Sequence, residues 1–369
     1  LYRPINHMYW NIAKIVGSFI IIIFIIITAT WFLIAQDTKS NIAIWAKNQK
    51  KSNIEINWKN ISINGYPINL NIKINEPNIL VKYFDGKVIW EPTFITLVLS
   101  PIKPKSIKYF SPGLHALNII YGKAKWSAEI ISETLKGEIL VKPTRQFNEK
   151  IYGEFNNLQL NLPGKEKALE IKQGKFETIV KNSAFVNIKS LNPYKNSFSL
   201  SLSAKKIKII ENLLSENIRN NFGNIIDEFS FDLALNGYLN TQAINKLKLI
   251  RWRNDGGSLD VNSFFLKWGS VKIQANGTLA LDQNLQPIGA FTIQIINAVK
   301  LLKSLEKSGA LSKTNAILFR VALASLTRKN NGTIKQITDI PITLQNGQIN
   351  IGPISLLKTP IIVWPEIKP

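Results

Sequence analysis

The chain has 369 residues, no cysteine and two histidines, and its 46 lysine and arginine residues against 24 acidic residues give a net charge of +22. The absence of cysteine excludes disulfides, thiolate nucleophiles and cysteine-based metal sites. His7 precedes the apolar stretch described next, so a histidine metal site or a Ser-His-Asp triad in the rest of the chain would have to use His115.

Residues 15–35 form an uncharged run without proline. Twenty-one helical residues at about 1.5 Å each reach roughly 31 Å, which matches the hydrocarbon core of a bilayer. Tyr9, Trp10 and Trp31 lie near its two ends, where aromatic rings favour the headgroup region. The run is longer than the apolar core of a signal peptide, and no typical small-residue cleavage site follows it. The sequence therefore predicts a tail at 1–14 and a retained transmembrane anchor at 15–35.

Beyond the anchor, residues 38–49 have the spacing of a short amphipathic helix, and from Ile54 onward apolar residues alternate with polar ones. Alternating runs on both sides of Asn64-Gly65 predict a β-hairpin. The alternation returns along the rest of the chain, interrupted by further asparagine-glycine pairs at 236–237, 276–277 and 346–347. Many short strands with turns between them favour an antiparallel meander.

Three segments break this pattern with a helical period: 207–226, 298–307 with Asn297 as its cap, and 314–327 with Ser312 as its cap. The last two read as a helical hairpin inserted between strands. We therefore predict a mainly β fold with a few helices (α+β), in which a long antiparallel curved sheet or β-groove follows one transmembrane helix.

The part after the anchor divides into a β-rich half at 36–200 and a second half at 201–369 that contains the helical hairpin. No linker rich in proline, glycine or serine separates these halves, so one continuous sheet is an equally good interpretation.

Two polar motifs resemble ligand sites. The glycine-rich stretch 255–260 lacks the Gly-Lys-Ser/Thr of a phosphate-binding loop, and we interpret it as a turn surrounded by strands. Asp255, Asp260 and Asp282 lack the spacing of a calcium loop, and aspartates in turns commonly bond their own backbone. The sequence therefore predicts no metal site and no cofactor.

Two further motifs suggest an enzyme or a nucleic-acid interface. The adjacent pair Asp227-Glu228 could serve glycoside hydrolysis, but neighbouring residues face different ways, and a solvated helix end explains it better. Trp252 between Arg251 and Arg253 could stack on bases, but no basic stripe recurs, and a place on a sheet face is the simpler interpretation. We predict no catalytic residue and no nucleic-acid partner.

The apolar strand faces carry the most functional information. In one interpretation an opposite sheet or the helices close them into a core, as every β protein requires. In the other, part of the apolar face stays open as a trough for acyl chains, because ligand troughs are mostly apolar with few polar contacts.

Several short motifs resemble a known group of proteins. Gly65-Tyr66-Pro67 followed by Glu76-Pro77, and the C-terminal sequences GTLALD at 277–282 and LQPIG at 285–289, are similar to an uncharacterised family of alphaproteobacterial membrane-anchored proteins with a domain of unknown function. The C-terminal sequences also resemble AsmA-like envelope proteins, which are anchored in the inner membrane and hold periplasmic β-rich grooves implicated in lipid transport or outer-membrane assembly.

This resemblance implies a single-pass inner-membrane protein with its large domain in the periplasm, and it supplies no catalytic residues. The expected role is non-enzymatic: binding or transferring a phospholipid or another acyl ligand, or supporting outer-membrane assembly. The alternatives are a scaffold whose sheet edges recruit envelope proteins and an envelope hydrolase with carboxylates near His115.

Overall fold

The computed structural model describes residues 5–83, 86–100, 105–141, 147–182, 196–237, 246–326, 336–352 and 354–364. In these ranges the chain forms nineteen β-strands and five α-helices. The helices are α1 (Ile5–Gln49), α2 (Glu216–Phe222), α3 (Lys246–Asn254), α4 (Ala298–Lys307) and α5 (Lys313–Leu326). The first eight strands are β1 (Ile54–Asn57), β2 (Asn60–Asn64), β3 (Leu70–Asn75), β4 (Asn78–Tyr83), β5 (Gly86–Pro92), β6 (Phe94–Leu99), β7 (Ser106–Phe110) and β8 (Gly113–Tyr121). The others are β9 (Ala124–Val141), β10 (Phe147–Leu162), β11 (Lys165–Asn182), β12 (Asn196–Ile209), β13 (Ile225–Asn236), β14 (Ser258–Trp268), β15 (Val271–Leu281), β16 (Pro287–Ile296), β17 (Gln336–Gln345), β18 (Gln348–Ile351) and β19 (Ile354–Lys358).

All nineteen strands belong to one antiparallel sheet. From β9 to β19 each strand pairs with the next along the chain, which is a meander. The first eight strands form four consecutive couples, and each couple acts as one long strand with a break in its middle. Thus β1 pairs with β4 and β2 pairs with β3, whereas β7 and β8 both pair with β9. The predicted long, curved, open antiparallel sheet with a few helices is confirmed.

A line of unpaired positions crosses this sheet. In the pairing of β9 with β10, Glu133 and Asn157 are left out of the register. The pairings that follow leave out one residue of each strand at the same level: Asn157 and Lys172 between β10 and β11, Lys172 and Lys206 between β11 and β12, and Lys206 and Asp227 between β12 and β13. Asn157 and Lys206 have positive φ angles of 48° and 53°. An extra residue bends a strand locally, and here it occurs at the same level in each strand from β9 to β13. We call these five residues the bend line; the breaks within the four couples continue it.

The N-terminal helix is longer than predicted. The sequence suggested an anchor at 15–35 and a separate amphipathic helix at 38–49, but α1 runs without interruption from Ile5 to Gln49. No proline or glycine lies between Ala35 and Gln49, so nothing stops the backbone hydrogen bonding at the end of the apolar run. Within the described residues, α1 from Lys14 to Gln49 is the one helix long and apolar enough to cross a membrane.

Other predicted elements differ in type or extent. The helix predicted at 207–226 is reduced to α2, because β12 continues to Ile209 and β13 starts at Ile225. The predicted turn at 276–277 lies inside β15, where Gly277 pairs with Phe291. The surroundings of the turn at 255–260 also differ, because the helix α3 precedes it.

The helical hairpin is confirmed as α4 and α5, with the end of the predicted third helix at Thr327 outside the described residues. The Ser312 hydroxyl accepts the Asn315 N–H at 3.2 Å, as expected of a cap. Asn297 makes no side-chain cap, and its amide instead donates to the Ser270 carbonyl at 2.5 Å. The turn Asn346-Gly347 has two positive φ angles, 54° and 68°, as a tight hairpin between β17 and β18 requires.

The two proposed halves meet inside a strand. β12 runs through positions 200 and 201, and it pairs with β11 on one side and β13 on the other. The sheet is therefore continuous across this boundary.

Candidate functional site

One face of the sheet is apolar along nearly its whole length. Residues directly opposite each other in an antiparallel ladder share a face, so the register defines rows across the strands. One row from β9 to β17 contains Ile139, Ile151, Thr178, Leu200, Leu233, Val261, Gly277, Phe291 and Ile342. The neighbouring row contains Gly137, Gly153, Phe176, Leu202, Phe231, Phe264, Ala275, Ile293 and Ile340. We call the face that carries these rows the apolar face.

The opposite face, here the polar face, carries serines and ion pairs. Lys136 pairs with Glu154 at 3.0 Å, and Lys208 pairs with Glu170 at 3.1 Å. These side chains are about one-third to one-half exposed or more, so each pair contributes little to stability. The polar face is therefore the solvated side of the sheet.

The bend line explains how the apolar side chains stay on one face although the strands bend. In β10 the apolar face carries Ile151, Gly153 and Phe155, and then continues at Leu158 after a step of three residues. Side chains alternate with a period of two, so a step of three would change the face. The extra residue Asn157 absorbs this step.

The apolar face lies on the inside of the bend. Next to the bend line, Phe155, Ala204 and Ile207 on the apolar face are only 6%, 2% and 6% exposed. On the bend line itself, Lys206 is 59% exposed, and its ammonium binds the Asp227 carboxylate at 2.8 Å. This contrast is what a trough with an apolar interior and a polar exterior requires.

Away from the bend line, the central part of the apolar face is half-buried. The half-buried side chains include Leu200, Leu202, Phe231 and Phe264. An opposing layer packed across the face would bury such side chains fully, as in a two-layer core. In the described residues, the helices pack mainly on β1, β2, β15, β17 and β19. We call the apolar face of β10–β14 the trough.

The C-terminal end of the apolar face is covered by α4 and α5. Leu302, Ala316 and Leu323 of these helices pack in one buried cluster with Ile340 of β17 and Ile351 of β18. Ile340 is 1% exposed, in contrast with the half-buried trough. The helical hairpin therefore closes this end.

The N-terminal end of the apolar face meets α1. Trp31 and Ala35 pack against Leu70, with Ile63 and Leu99 at the edge of this cluster. The Trp31 indole N–H also donates to the Asn69 carbonyl at 3.0 Å. The residues of the trough thus lie between α1 on one side and the helical hairpin on the other.

Aromatic rings lie over glycines where β9, β10 and β11 meet. Gly137 and Gly153 are directly opposite each other, and a Cβ on either would collide with the Tyr109 side chain. The Tyr109 hydroxyl donates to the Tyr152 carbonyl at 3.1 Å, and burial raises the Tyr109 pKa to about 12. The glycines give these rings room without closing the trough.

His115 is a structural residue at the bend. It is 3% exposed, its ring stacks on Trp90, its Nδ1 accepts the Trp90 indole N–H at 3.3 Å, and its Nε2 bonds the Ser111 carbonyl at 2.7 Å. The Trp90 N–H requires an acceptor at Nδ1, which assigns the proton to Nε2. Burial lowers the His115 pKa, so the ring is neutral. Both nitrogens are occupied by structural partners.

The structure does not bring the other singled-out acidic residues together into a cation site. Among the described residues, no group of three or more His, Cys, Asp or Glu side chains could hold a metal. Asp260 accepts from Asn236 at 2.6 Å and from Thr278 at 2.8 Å, and Asp282 accepts the Gln286 N–H at 2.7 Å within its own turn. Asp227 and Glu228 lie in β13 and not at the helix end that the sequence suggested. A hydrogen bond from Lys206 lowers the pKa of Asp227, which keeps this carboxyl ionised.

The basic-aromatic triplet lies on a helix, which corrects its predicted place on a sheet face. Trp252 of α3 is 6% exposed, covers Gly257 and donates its indole N–H to the Asn236 carbonyl at 2.7 Å. Arg253 donates to the Asp282 carbonyl at 3.1 Å and to the Gln283 carbonyl at 2.9 Å. A buried ring and an arginine engaged with the backbone fix α3 to the β15–β16 turn.

These features define a class of protein: an open, bent antiparallel sheet with an apolar inner face, attached to a long apolar N-terminal helix. The comparison with family models matches residues 31–138 and 232–360, together well over half of the chain. The chain belongs to the family of uncharacterised proteins conserved in bacteria known as DUF2125. No curated protein and no solved structure matches the chain.

Proposed function

We propose that this protein is anchored by α1 in the bacterial inner membrane, with its sheet in the periplasm, and that it binds or hands on lipid through the trough. The single observation that carries this proposal is the continuous, half-buried apolar face between α1 and the helical hairpin. The resemblance of the C-terminal motifs to AsmA-like envelope proteins supports the same compartment and the same kind of ligand.

The energetics favour an acyl chain as the ligand. Exposed apolar surface costs roughly 25 cal/mol per Å² in water, so a row of half-buried leucine and phenylalanine side chains favours any apolar cover of its exposed part. A lipid tail that moves from the bilayer to the trough exchanges one apolar environment for another. Its transfer is therefore close to balanced, which suits reversible binding better than permanent storage.

Charge supports a phospholipid rather than a neutral lipid. Lys39 and Lys47 follow the apolar run on α1 and are exposed, and the chain carries a net charge of +22. Lysines at this level attract anionic headgroups within about a Debye length of the membrane surface. The headgroup would stay at the open side of the trough while the acyl chains contact the apolar face.

The test compares two substitutions at adjacent positions of β12. Leu202 lies on the apolar face between Phe176 and Phe231, and Ser203 lies on the polar face between Lys175 and Ser230. We expect Leu202→Glu to fold but to lose bound phospholipid several-fold, whereas Ser203→Glu retains it. The full chain is purified with a mild detergent, and the bound lipid is quantified by mass spectrometry, with circular dichroism as the measure of folding.

Two results would contradict the proposal. If neither the native protein nor Ser203→Glu carries phospholipid, the trough does not hold this lipid and the proposal is wrong. If Leu202→Glu unfolds outright, the face is a closed core. A stable co-purifying protein in place of lipid would instead favour the scaffold interpretation.

A further inference from the structure

The turn between β2 and β3, residues 65–69, lies against a part of α1 that belongs to the apolar run. Tyr66 contacts Phe24, Trp31 and Phe32, with ring centroids 6.4, 5.6 and 6.4 Å from its own. Its hydroxyl lies 2.6 Å from the Thr28 hydroxyl. Thr28 already donates to the Phe24 carbonyl, so Tyr66 is the donor in this pair.

The exposure of α1 changes at this contact. From Thr28 to Gln49 one stripe of the helix is covered by the sheet, and it includes Trp31, Ala35 and Ala46. From Lys14 to Ile27 the described side chains are exposed, apart from the half-buried Gly17. The turn therefore marks the point where the sheet stops and the bare apolar helix continues.

From Thr28 toward its C-terminal end, α1 stays apolar for about two more turns. Phe32 and Leu33 are 62% and 67% exposed, and they lie between Thr28 and the first charged residue, Asp37. If residues up to Ala35 lie in lipid, Thr28 lies about 10 Å below the end of the apolar run, at about 1.5 Å per residue. The turn at 65–69 must then lie at the same depth.

The turn itself is suited to that depth. Ile68 is 61% exposed and Tyr66 38%, so apolar atoms point outward. Pro67 has no N–H, the Asn69 N–H donates to the Gly65 carbonyl at 3.0 Å, and the Asn69 carbonyl accepts from Trp31. Much of the turn's polar backbone is thus satisfied internally, as a segment in contact with lipid requires. Tyrosine and tryptophan are also the side chains that favour the membrane interface.

We propose that residues 65–69 insert into the bilayer leaflet beside α1, and that acyl chains enter the apolar face from the membrane at this end. Leu70, the first residue of β3 after the turn, belongs to the apolar face and packs with Leu99 and Ile63. Lys105 is exposed at the neighbouring end of β7, where it can contact anionic headgroups. This inference rests on the membrane anchoring proposed above, and it assigns the place where acyl chains would pass between bilayer and sheet.

The chain contains no cysteine, so single-cysteine variants of the full protein can be labelled cleanly. The variants Ile68→Cys, Ile22→Cys and Lys123→Cys carry the fluorophore NBD and are reconstituted in vesicles of phosphatidylethanolamine and phosphatidylglycerol. Ile22 reports the anchor, and Lys123 lies in the turn between β8 and β9, at the other end of the strands. Quenching by spin-labelled lipids and by aqueous iodide is measured for each variant, with circular dichroism to show that each is folded.

We expect the labels at 68 and 22 to be quenched by the spin-labelled lipids and to be several-fold less sensitive to iodide than the label at 123. If the label at 68 responds to iodide as the one at 123 does, while the label at 22 stays protected, the inserted turn is wrong and the anchor stands. If the label at 22 is also open to iodide, the anchor itself is wrong.

Discussion

The glycines beneath Tyr109 allow a sharp test of how tightly the bent sheet is packed. An ideal Cβ at Gly153 would lie 2.5 Å from Phe176 Cζ and closer still to the Tyr109 hydroxyl, and both obstacles are side chains. An ideal Cβ at Gly137 would collide with the Tyr152 backbone carbonyl as well as with Tyr109. The two glycines thus face different obstacles, although they are paired.

We expect Gly153→Ala to destabilise the fold by about 2–4 kcal/mol. Overpacking costs about 1–3 kcal/mol, and displacement of Tyr109 removes its hydrogen bond to Tyr152, which is worth about 0.5–1.5 kcal/mol. Shortening the obstacle with Tyr109→Val should recover about 1 kcal/mol or more of this loss. Gly137→Ala should show no comparable recovery, because a carbonyl of the backbone cannot rotate away.

The assay is urea unfolding of the full chain in detergent, followed by circular dichroism, for the single variants and the two double variants. Coupling between positions 153 and 109, without comparable coupling between 137 and 109, supports the packing described here. Additive effects at both glycines would refute it, because Tyr109 would then not occupy the space above Gly153.

Three further predictions concern single residues. Burial raises the pKa of Tyr109 from its ordinary 10 to about 12, so the folded state keeps a proton that the unfolded state loses. The free energy of unfolding should therefore fall between pH 10 and pH 12. In Tyr109→Phe, urea unfolding across this range should show a smaller fall. Burial lowers the pKa of His115, so the unfolded state binds the proton first as pH falls below about 6.5. The stability of the fold should therefore decrease between pH 7.5 and pH 5, and it should decrease less in His115→Gln. Thermal unfolding at the two pH values measures this difference. Arg253→Lys should lower the urea midpoint by the equivalent of about 1–2 kcal/mol, because it loses two charge-assisted hydrogen bonds to carbonyls of the β15–β16 turn. The control Arg251→Lys, at an exposed position, should change stability by no more than about 0.5 kcal/mol. Equal effects of the two substitutions would contradict the role given to Arg253.

Strand faces and hairpins could be predicted from the sequence because they depend on neighbouring residues. Alternation such as Phe198, Leu200 and Leu202 fixes which side of a strand is apolar, and register then carries that face across the sheet. The turn at 346–347 was predictable for the same reason, since asparagine and glycine tolerate the positive φ it needs. The pair at 276–277 was misleading because the partner strand β16 continues past it.

The bend could also have been found in the sequence. In β10, β11 and β12 the apolar face steps by three residues, from 155 to 158, from 174 to 171 and from 204 to 207. This repeated phase shift at one level is the sequence signal of the bend line. It is visible only when the strands are aligned, so a search strand by strand misses it.

Contacts distant in sequence could not be predicted. Trp31 and Tyr66 are 35 residues apart, and the sequence suggested a membrane interface for Trp31 but no partner. The helix α3 was missed because its propensity is modest and its stability comes from Trp252 and Arg253, whose partners lie on other elements. Tertiary packing decides both cases.

Photocrosslinking inside bacterial cells tests the central claim, that the trough holds acyl chains, most directly. A photoreactive amino acid is placed at Leu202 in one strain and at Ser203 in another, and the purified protein is analysed by intact-mass spectrometry after irradiation. The account predicts phospholipid adducts at position 202 and none above background at 203. Equal labelling at the two positions, or no lipid adduct at 202, would contradict it.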